Sequence, residues 1–183
     1  MEKEGLIGES LRMVGSARDE LKKYYEDGDP THIRQASRKG WSAVALTTDY
    51  LFARLGVIEY IQSRIPERSK SWHLFTHERR ALLRELRKHI DAARELETKF
   101  GYFAYNLHAW GFYEGAIDVD DLKEMLSEVE EYVNKIRGIL PELERRKEEL
   151  YPILIKRLEA RWKTDEELAR QRQKLMEKYL KGS

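Results

Sequence analysis

The residues able to do chemistry concentrate in one stretch. From Tyr102 to Gly115 the chain reads Tyr-Phe-Ala-Tyr-Asn-Leu-His-Ala-Trp-Gly-Phe-Tyr-Glu-Gly, with six aromatic side chains among which sit Asn106, His108 and Glu114. Aromatic rings bury large areas, which predicts a place in the core. An imidazole, an amide and a carboxylate there each need a partner, at a cost of about 1–3 kcal/mol for each one buried unpaired. The stretch is therefore a satisfied core network or a site. As a site, His108 is the candidate for proton transfer. Asn106, Tyr113 and Glu114 are candidates for binding, with Lys39 and Trp41 of an earlier helix across a cleft. As a core network, His108 bonds to a neighbouring helix or lies at a dimer interface. At α-helical spacing Asn106–Trp110–Tyr113 and His108–Phe112 form separate stripes, so only part of the set can face one cavity.

Other chemistry is sparse. The chain has no Gly-rich phosphate loop, no His-Glu-x-x-His helix and no EF-hand loop, so no cofactor is expected. His73 and His77 are spaced for one helical face, but no carboxylate converges on them and Arg79 and Arg80 oppose a cation. No metal site is expected, and His77 is kept as a candidate binding residue. His32 and His89 lie among charges and are expected to be exposed. Between residues 64 and 94 stand nine basic and four acidic residues with three histidines, the best candidate for an anion-facing surface.

These residues must be held by helices. Ile7, Leu11, Val14, Leu21 and Tyr25 share one face and predict a helix from about Glu4 to Asp27, stopped at Gly28. Asp29 and Pro30 predict a cap and first residue for a second helix running to about Leu55. Its Ala36, Ala43 and Ala45 allow close neighbours, while Ser37, Thr47, Thr48 and Asp49 interrupt the apolar surface and must bond within the bundle or line a cavity. Residues 56–72 read as an irregular link with a short turn at Val57–Ile61. A third helix is expected from His73 or Thr76 to Phe100, ended by Gly101. The aromatic stretch makes a fourth, antiparallel to its neighbours. Asp118 caps a fifth, whose Leu122, Leu126, Val129, Val133, Ile136 and Leu140 form a four–three seam. Beyond Pro141 the apolar residues predict a helical extension, kinked or split at Pro152 and restarted by a capping box at Thr164.

Composition sets the limits. The 183 residues suffice for one good-sized core with an appendage. No Cys occurs, which excludes disulfides and thiolate metal sites. No leader-like run opens the chain and no stretch approaches the roughly 20 apolar residues of a membrane span, so a cytoplasmic protein is expected. Net charge is +1, divided as −2 over residues 1–140 and +3 over residues 141–183. The whole molecule therefore has no strong pull toward nucleic acid or membrane.

Gly28-Asp29, the run Gln35-Ala36-Ser37-Arg38-Lys39-Gly40-Trp41-Ser42-Ala43-Val44-Ala45-Leu46, His77, Leu107-His108 and Phe112-Tyr113-Glu114-Gly115 follow in an order and spacing that resembles the archaeal PaREP family (first type), over residues 12–137. That family is similar to the HEPN superfamily (higher eukaryotes and prokaryotes nucleotide-binding). The resemblance implies a small helical bundle that dimerises. It implies either a metal-independent ribonuclease or a non-catalytic partner of nucleotidyltransferase-type proteins. The HEPN ribonucleases carry an Arg and a later His with four to six residues between them, the Arg stabilising phosphate charge. Before His108 this chain has Gly101, Tyr102 and Phe103 instead. Arg68–His73 and Arg84–His89 have the spacing but lie outside the aromatic stretch. The expectation is an all-α, HEPN-like up-down bundle of about five helices over residues 1–140 with a charged helical extension over residues 141–183. It is expected to form a homodimer and to bind RNA or a nucleotide, or a protein partner, with no membrane contact.

Overall fold

Gly28, Gly56 and Gly115 have positive φ (72°, 84° and 65°), and each closes a helix with a left-handed residue. Between such stops the computed structural model, which describes residues 5–71 and 73–180, is helical nearly throughout. Its α-helices are α1 (Gly5–Asp27), α2 (Thr31–Arg54), α3 (Val57–Arg64), α4 (Thr76–Leu86), α5 (Ala92–Phe103), α6 (Val119–Arg145) and α7 (Lys147–Leu180). A 3-10 turn, Pro66–Arg68, precedes α4, and a π-helix, Ala104–Glu114, continues directly from α5. No strand occurs among the described residues, so the chain is an all-α bundle.

The bundle is organised on α2. Fourteen of its residues are buried, from Ile33 to Phe52, because its small residues admit neighbours on several sides. At Gly40 a Cβ would stand 2.8 Å from Leu126 of α6 and 3.4 Å from Leu107 of the π-helix. Of the polar residues of α2, Thr47, Thr48 and Asp49 bond within the bundle, while the buried Ser37 hydroxyl has no hydrogen-bond partner among the described residues. Thr47 and Thr48 donate to the carbonyls of Ala43 and Val44 (2.8 and 2.7 Å), and Thr48 also meets the buried Tyr132 hydroxyl at 2.8 Å. Asp118 caps α6 by accepting from Asp120 N–H at 2.8 Å, as its position predicts.

Six α-helices stand over residues 5–145 where five were expected, and α7 is the expected extension. The link after Gly56 holds a full helix, α3, because Val57, Ile58 and Ile61 are buried on the common core. The expected third helix is two, α4 and α5, separated by a turn at residues 87–91. Leu86, Ile90, Ala93 and Leu96 remain buried across that turn, so the apolar spacing conceals it. Gly101 does not end α5, since it lies inside the helix. The aromatic stretch is therefore a continuation of α5 and not a separate antiparallel helix. In α7 the helix runs unbroken through Pro152 and Thr164. Pro152 removes one backbone bond, but Leu150, Leu154 and Leu158 on either side are buried on the core and hold the helix through it. Thr164 Oγ1 donates back to Ala160 at 3.1 Å and caps nothing. Among the described residues no helix is long and apolar enough to cross a membrane.

Candidate functional site

A π-helix bonds residue i to i+5, is rare, and is found at functional sites. Over Ala104–Glu114 it regroups the side chains. Phe103, Leu107 and Gly111 face inward and are buried. Residues five apart become neighbours: Tyr105 and Trp110 rings lie 6.0 Å apart, and His108 and Tyr113 rings 5.0 Å apart. In an α-helix such pairs diverge, which is why the stripes expected from α-spacing do not form. Gly111 permits the close approach to α2, since a Cβ there would stand 2.6 Å from Ser37 Cβ and closer still to its hydroxyl.

The winding also turns most of the aromatics outward, against the expectation that they are buried. Tyr105 is 57%, Trp110 46% and Tyr113 60% exposed. An inner row of small and aliphatic residues fills the contact with α2, leaving no room there for the larger rings. Arg38 of α2 lies over the Phe112 ring at 5.7 Å, and Arg34 donates to the Glu114 carbonyl at 3.2 Å. Arg80 of α4 reaches toward Gly101, at 3.8 Å from where a Cβ would be. None of the three arginines has a carboxylate partner among the described residues.

His108 sits beneath this face. Its ring stacks on Trp41 at 5.0 Å, and Trp41 continues to Phe100 at 5.5 Å. Its Nδ1 is buried without a hydrogen-bond partner among the described residues. Burial, and after it the Arg79 guanidinium, holds the imidazole below its ordinary range. His108 is thus a half-buried ring in an aromatic stack whose charged form is disfavoured.

A second constellation lies where α2, α4 and the loop before α4 meet. Asp49 is fully buried and takes both arms of Arg79 (2.8 and 2.7 Å), the Leu74 N–H (3.2 Å) and His73 Nδ1 (3.1 Å). Beside it Glu78 accepts from Arg68 (2.8 Å), the Trp162 indole (2.8 Å) and Phe75 N–H (2.8 Å). Burial alone would raise the Glu78 pKa; Arg68, Trp162 and the Phe75 amide together outweigh it and bring it below its usual value. Arg68 also donates to the His73 carbonyl at 2.6 Å. His73 keeps an exposed ring oriented by a buried carboxylate. Asp49 carries a legible signal, a carboxylate in an apolar helix. Arg79 carries none, being one arginine among many.

The structure brings Trp41, His108 and Tyr113 together and leaves the other candidates elsewhere. Lys39 points to α1, where it binds Glu20 at 2.7 Å. His77 stacks on Phe75 at 5.6 Å and meets Asp165 of α7 at 3.3 Å, away from His73. No group of three or more His, Asp or Glu is placed to hold a metal among the described residues. Asn106 donates to the Tyr102 carbonyl at 2.9 Å, and the Glu114 side chain is exposed. His32 is not exposed as expected but clamped between Glu20 (2.8 Å) and Asp27 (3.1 Å). In the 64–94 region six of the nine basic residues are held by carboxylates: Arg68, Arg79, Arg84, Arg87, Lys88 and Arg94. The anion-facing surface expected there is largely neutralised from within.

Comparison with known families decides the relationship. The profile described as the archaeal PaREP1/PaREP8 family matches residues 11–133. The chain belongs to the PaREP1/PaREP8 family. No curated protein and no solved structure matches it. In this PaREP1/PaREP8 chain the matched span includes α2, Asp49, the Arg68–Glu78 pair and the whole π-helix. It stops within α6, so α7 and its Trp162 contact to Glu78 lie outside the matched span.

Proposed function

We propose that this is a HEPN-like, cytoplasmic, non-catalytic protein that binds single-stranded RNA on the outer face of the π-helix. The observation that carries the reading is the exposure of Tyr105, Trp110 and Tyr113 on a segment flanked by Arg34 at Glu114, Arg38 at Phe112 and Arg80 near Gly101, none with a carboxylate partner among the described residues. Exposed rings give stacking platforms for bases, and cations beside them take phosphates; stacking contributes about 1–3 kcal/mol per base and tolerates any sequence. Catalysis at His108 is disfavoured by two features. The residues before it are Gly101, Tyr102 and Phe103, so no cation stands at the ribonuclease spacing, and its Nδ1 is buried.

The test is a titration of short single-stranded RNA at several salt concentrations. Three phosphate contacts give a slope of log K against log salt of about −2, since each contributes about −0.7 on single strands. Trp110→Ala and Arg38→Gln should each weaken binding about tenfold without changing the fold, as about 1–2 kcal/mol is removed by each. Salt-independent binding, or binding indifferent to both variants, sinks the reading. If the same face instead joins two copies into a homodimer, Trp110→Ala will convert a dimer into a monomer and leave no RNA binding to lose.

A second reading, a metal-independent ribonuclease, is favoured by the meeting of Arg68 and His73. The pair has the Arg-to-His spacing of HEPN ribonucleases, and buried Asp49 orients the exposed imidazole. Against it, the Arg68 guanidinium is already neutralised by Glu78. Cleavage of an RNA panel that disappears in His73→Ala would establish this reading over the first.

A further inference from the structure

Between α3 and α7 lies an open cavity of about 540 Å³, within the range of small-molecule sites. Two rings line it. Tyr60 of α3 and Trp162 of α7 are almost parallel, 9° apart in plane, with centroids 6.3 Å apart. Both rings are held by hydrogen bonds: the Trp162 indole donates to the anchored Glu78, and the Tyr60 hydroxyl donates to Glu159, which itself lines the cavity. The Tyr60–Glu159 bond raises the Tyr60 pKa, so the phenol keeps its proton. The platform is therefore built before any ligand arrives.

The charges at its edge are unequal in commitment. Glu159 is engaged by Tyr60, and Glu166 lies 3.9 Å from Arg170. Arg64 lies over the Tyr60 ring at 6.0 Å, and Lys163 lines the same cavity; neither has a carboxylate partner among the described residues. A flat π-system can lie on the Tyr60 and Trp162 rings, and the two cations beside it, which lack carboxylate partners, can take negative charge although Glu159 and Glu166 share the lining. A purely cationic ligand would meet Arg64 and Lys163 instead.

We infer that the α3–α7 cavity is a binding site for a small planar aromatic anion, separate from the RNA-binding face. The anionic group is a phosphate or a carboxylate; both offer oxygens to Arg64 and Lys163. Since Trp162 lies past the span matched by the family, the site depends on this chain's own α7.

Calorimetric titration of the full chain with AMP, with 4-hydroxybenzoate, with adenosine and with inorganic phosphate tests it. The first two separate the phosphate from the carboxylate source. Saturable binding of either one, weaker by about tenfold in Arg64→Gln and in Lys163→Gln, is expected, because each change removes one charge-assisted contact. Adenosine and phosphate alone should bind much more weakly than AMP. Arg64 and Lys163 are exposed, so these variants should fold normally, which circular dichroism verifies. Absence of saturable binding by both aromatic anions overturns the proposal, as does binding unchanged in the two variants. Trp110→Ala should leave this site untouched, and Arg64→Gln should leave RNA binding untouched. Failure here and failure of the RNA-binding reading are therefore distinguishable.

Discussion

The π-helix and the segment around α4 handle their polar and aromatic residues in opposite ways. Around α4, Asp49, Glu78, Arg68 and Arg79 are drawn inside and neutralise one another, so a stretch rich in charge presents little of it. Along the π-helix, Tyr105, Trp110 and Tyr113 are pushed outside, so a stretch rich in rings presents most of them. The difference teaches that residue type alone does not set exposure. Pairing decides it for the charges and helical pitch decides it for the rings.

The sharpest way to break the comparison is at its buried end. Arg79→Leu leaves the fully buried Asp49 carboxylate without its bidentate partner. Removal of one partner from such a pair costs about 3–5 kcal/mol, and the midpoint of urea unfolding should fall accordingly. An unchanged midpoint would mean that Asp49 and Arg79 do not form the pair described.

Next in size is Gly111→Ala. The added methyl collides with Ser37, and overpacking of this kind costs about 1–3 kcal/mol. The double variant Gly111→Ala with Ser37→Gly should recover much of the loss, since the second change vacates the space. No recovery would place the strain somewhere other than the α2 contact.

A smaller effect concerns the clamp between α1 and α2. Glu20, held mainly by Lys39 and then by His32, titrates at about 2, and His32 is raised mainly by Glu20. A His with a raised folded pKa stabilises fully below its unfolded value of about 6.5 and loses that contribution as pH climbs through the folded value. A lowered Glu behaves oppositely, keeping its contribution above about pH 4.5 and losing it as pH falls toward 2. Thermal unfolding should thus occur at higher temperature at pH 6 than at pH 8.5, and His32→Gln should flatten that dependence. Smallest of all is the effect of Trp110→Ala on stability, expected within about 0.5 kcal/mol for an exposed side chain. A large loss there would mean that the ring is structural after all.

Most of the helical layout is legible from i, i+3, i+4 spacing, and so are the stops at Gly28 and Gly56. The turn between α4 and α5 is not, because Leu86, Ile90, Ala93 and Leu96 keep helical spacing across it. The pitch of the aromatic stretch is hidden for a related reason: an α-helical reading assigns Trp110 to Asn106 and Tyr113, whereas the i+5 repeat assigns it to Tyr105. A signal exists in hindsight, since Phe103, Leu107 and Gly111 recur every four residues while their α-neighbours at i+3 are polar or aromatic. Within the candidate site, Trp41 and His108 follow from the sequence. The Asp49–Arg79–His73 meeting does not, because it joins residues 24 and 30 positions apart through a loop that only the fold positions.

The π-helix has one more consequence, in the arithmetic of chain length. Relative to an α-helix of equal rise it holds surplus residues, so the segment is poised between two registers. Loss of a single residue near Ala109 would let α5 continue as an ordinary helix, while every residue after the gap turned by about 100°. The core row would survive as aliphatic packing, but the Tyr105–Trp110 and His108–Tyr113 pairs would come apart. Among variants of this chain, a one-residue deletion there is thus better suited than any substitution to separate folding from recognition.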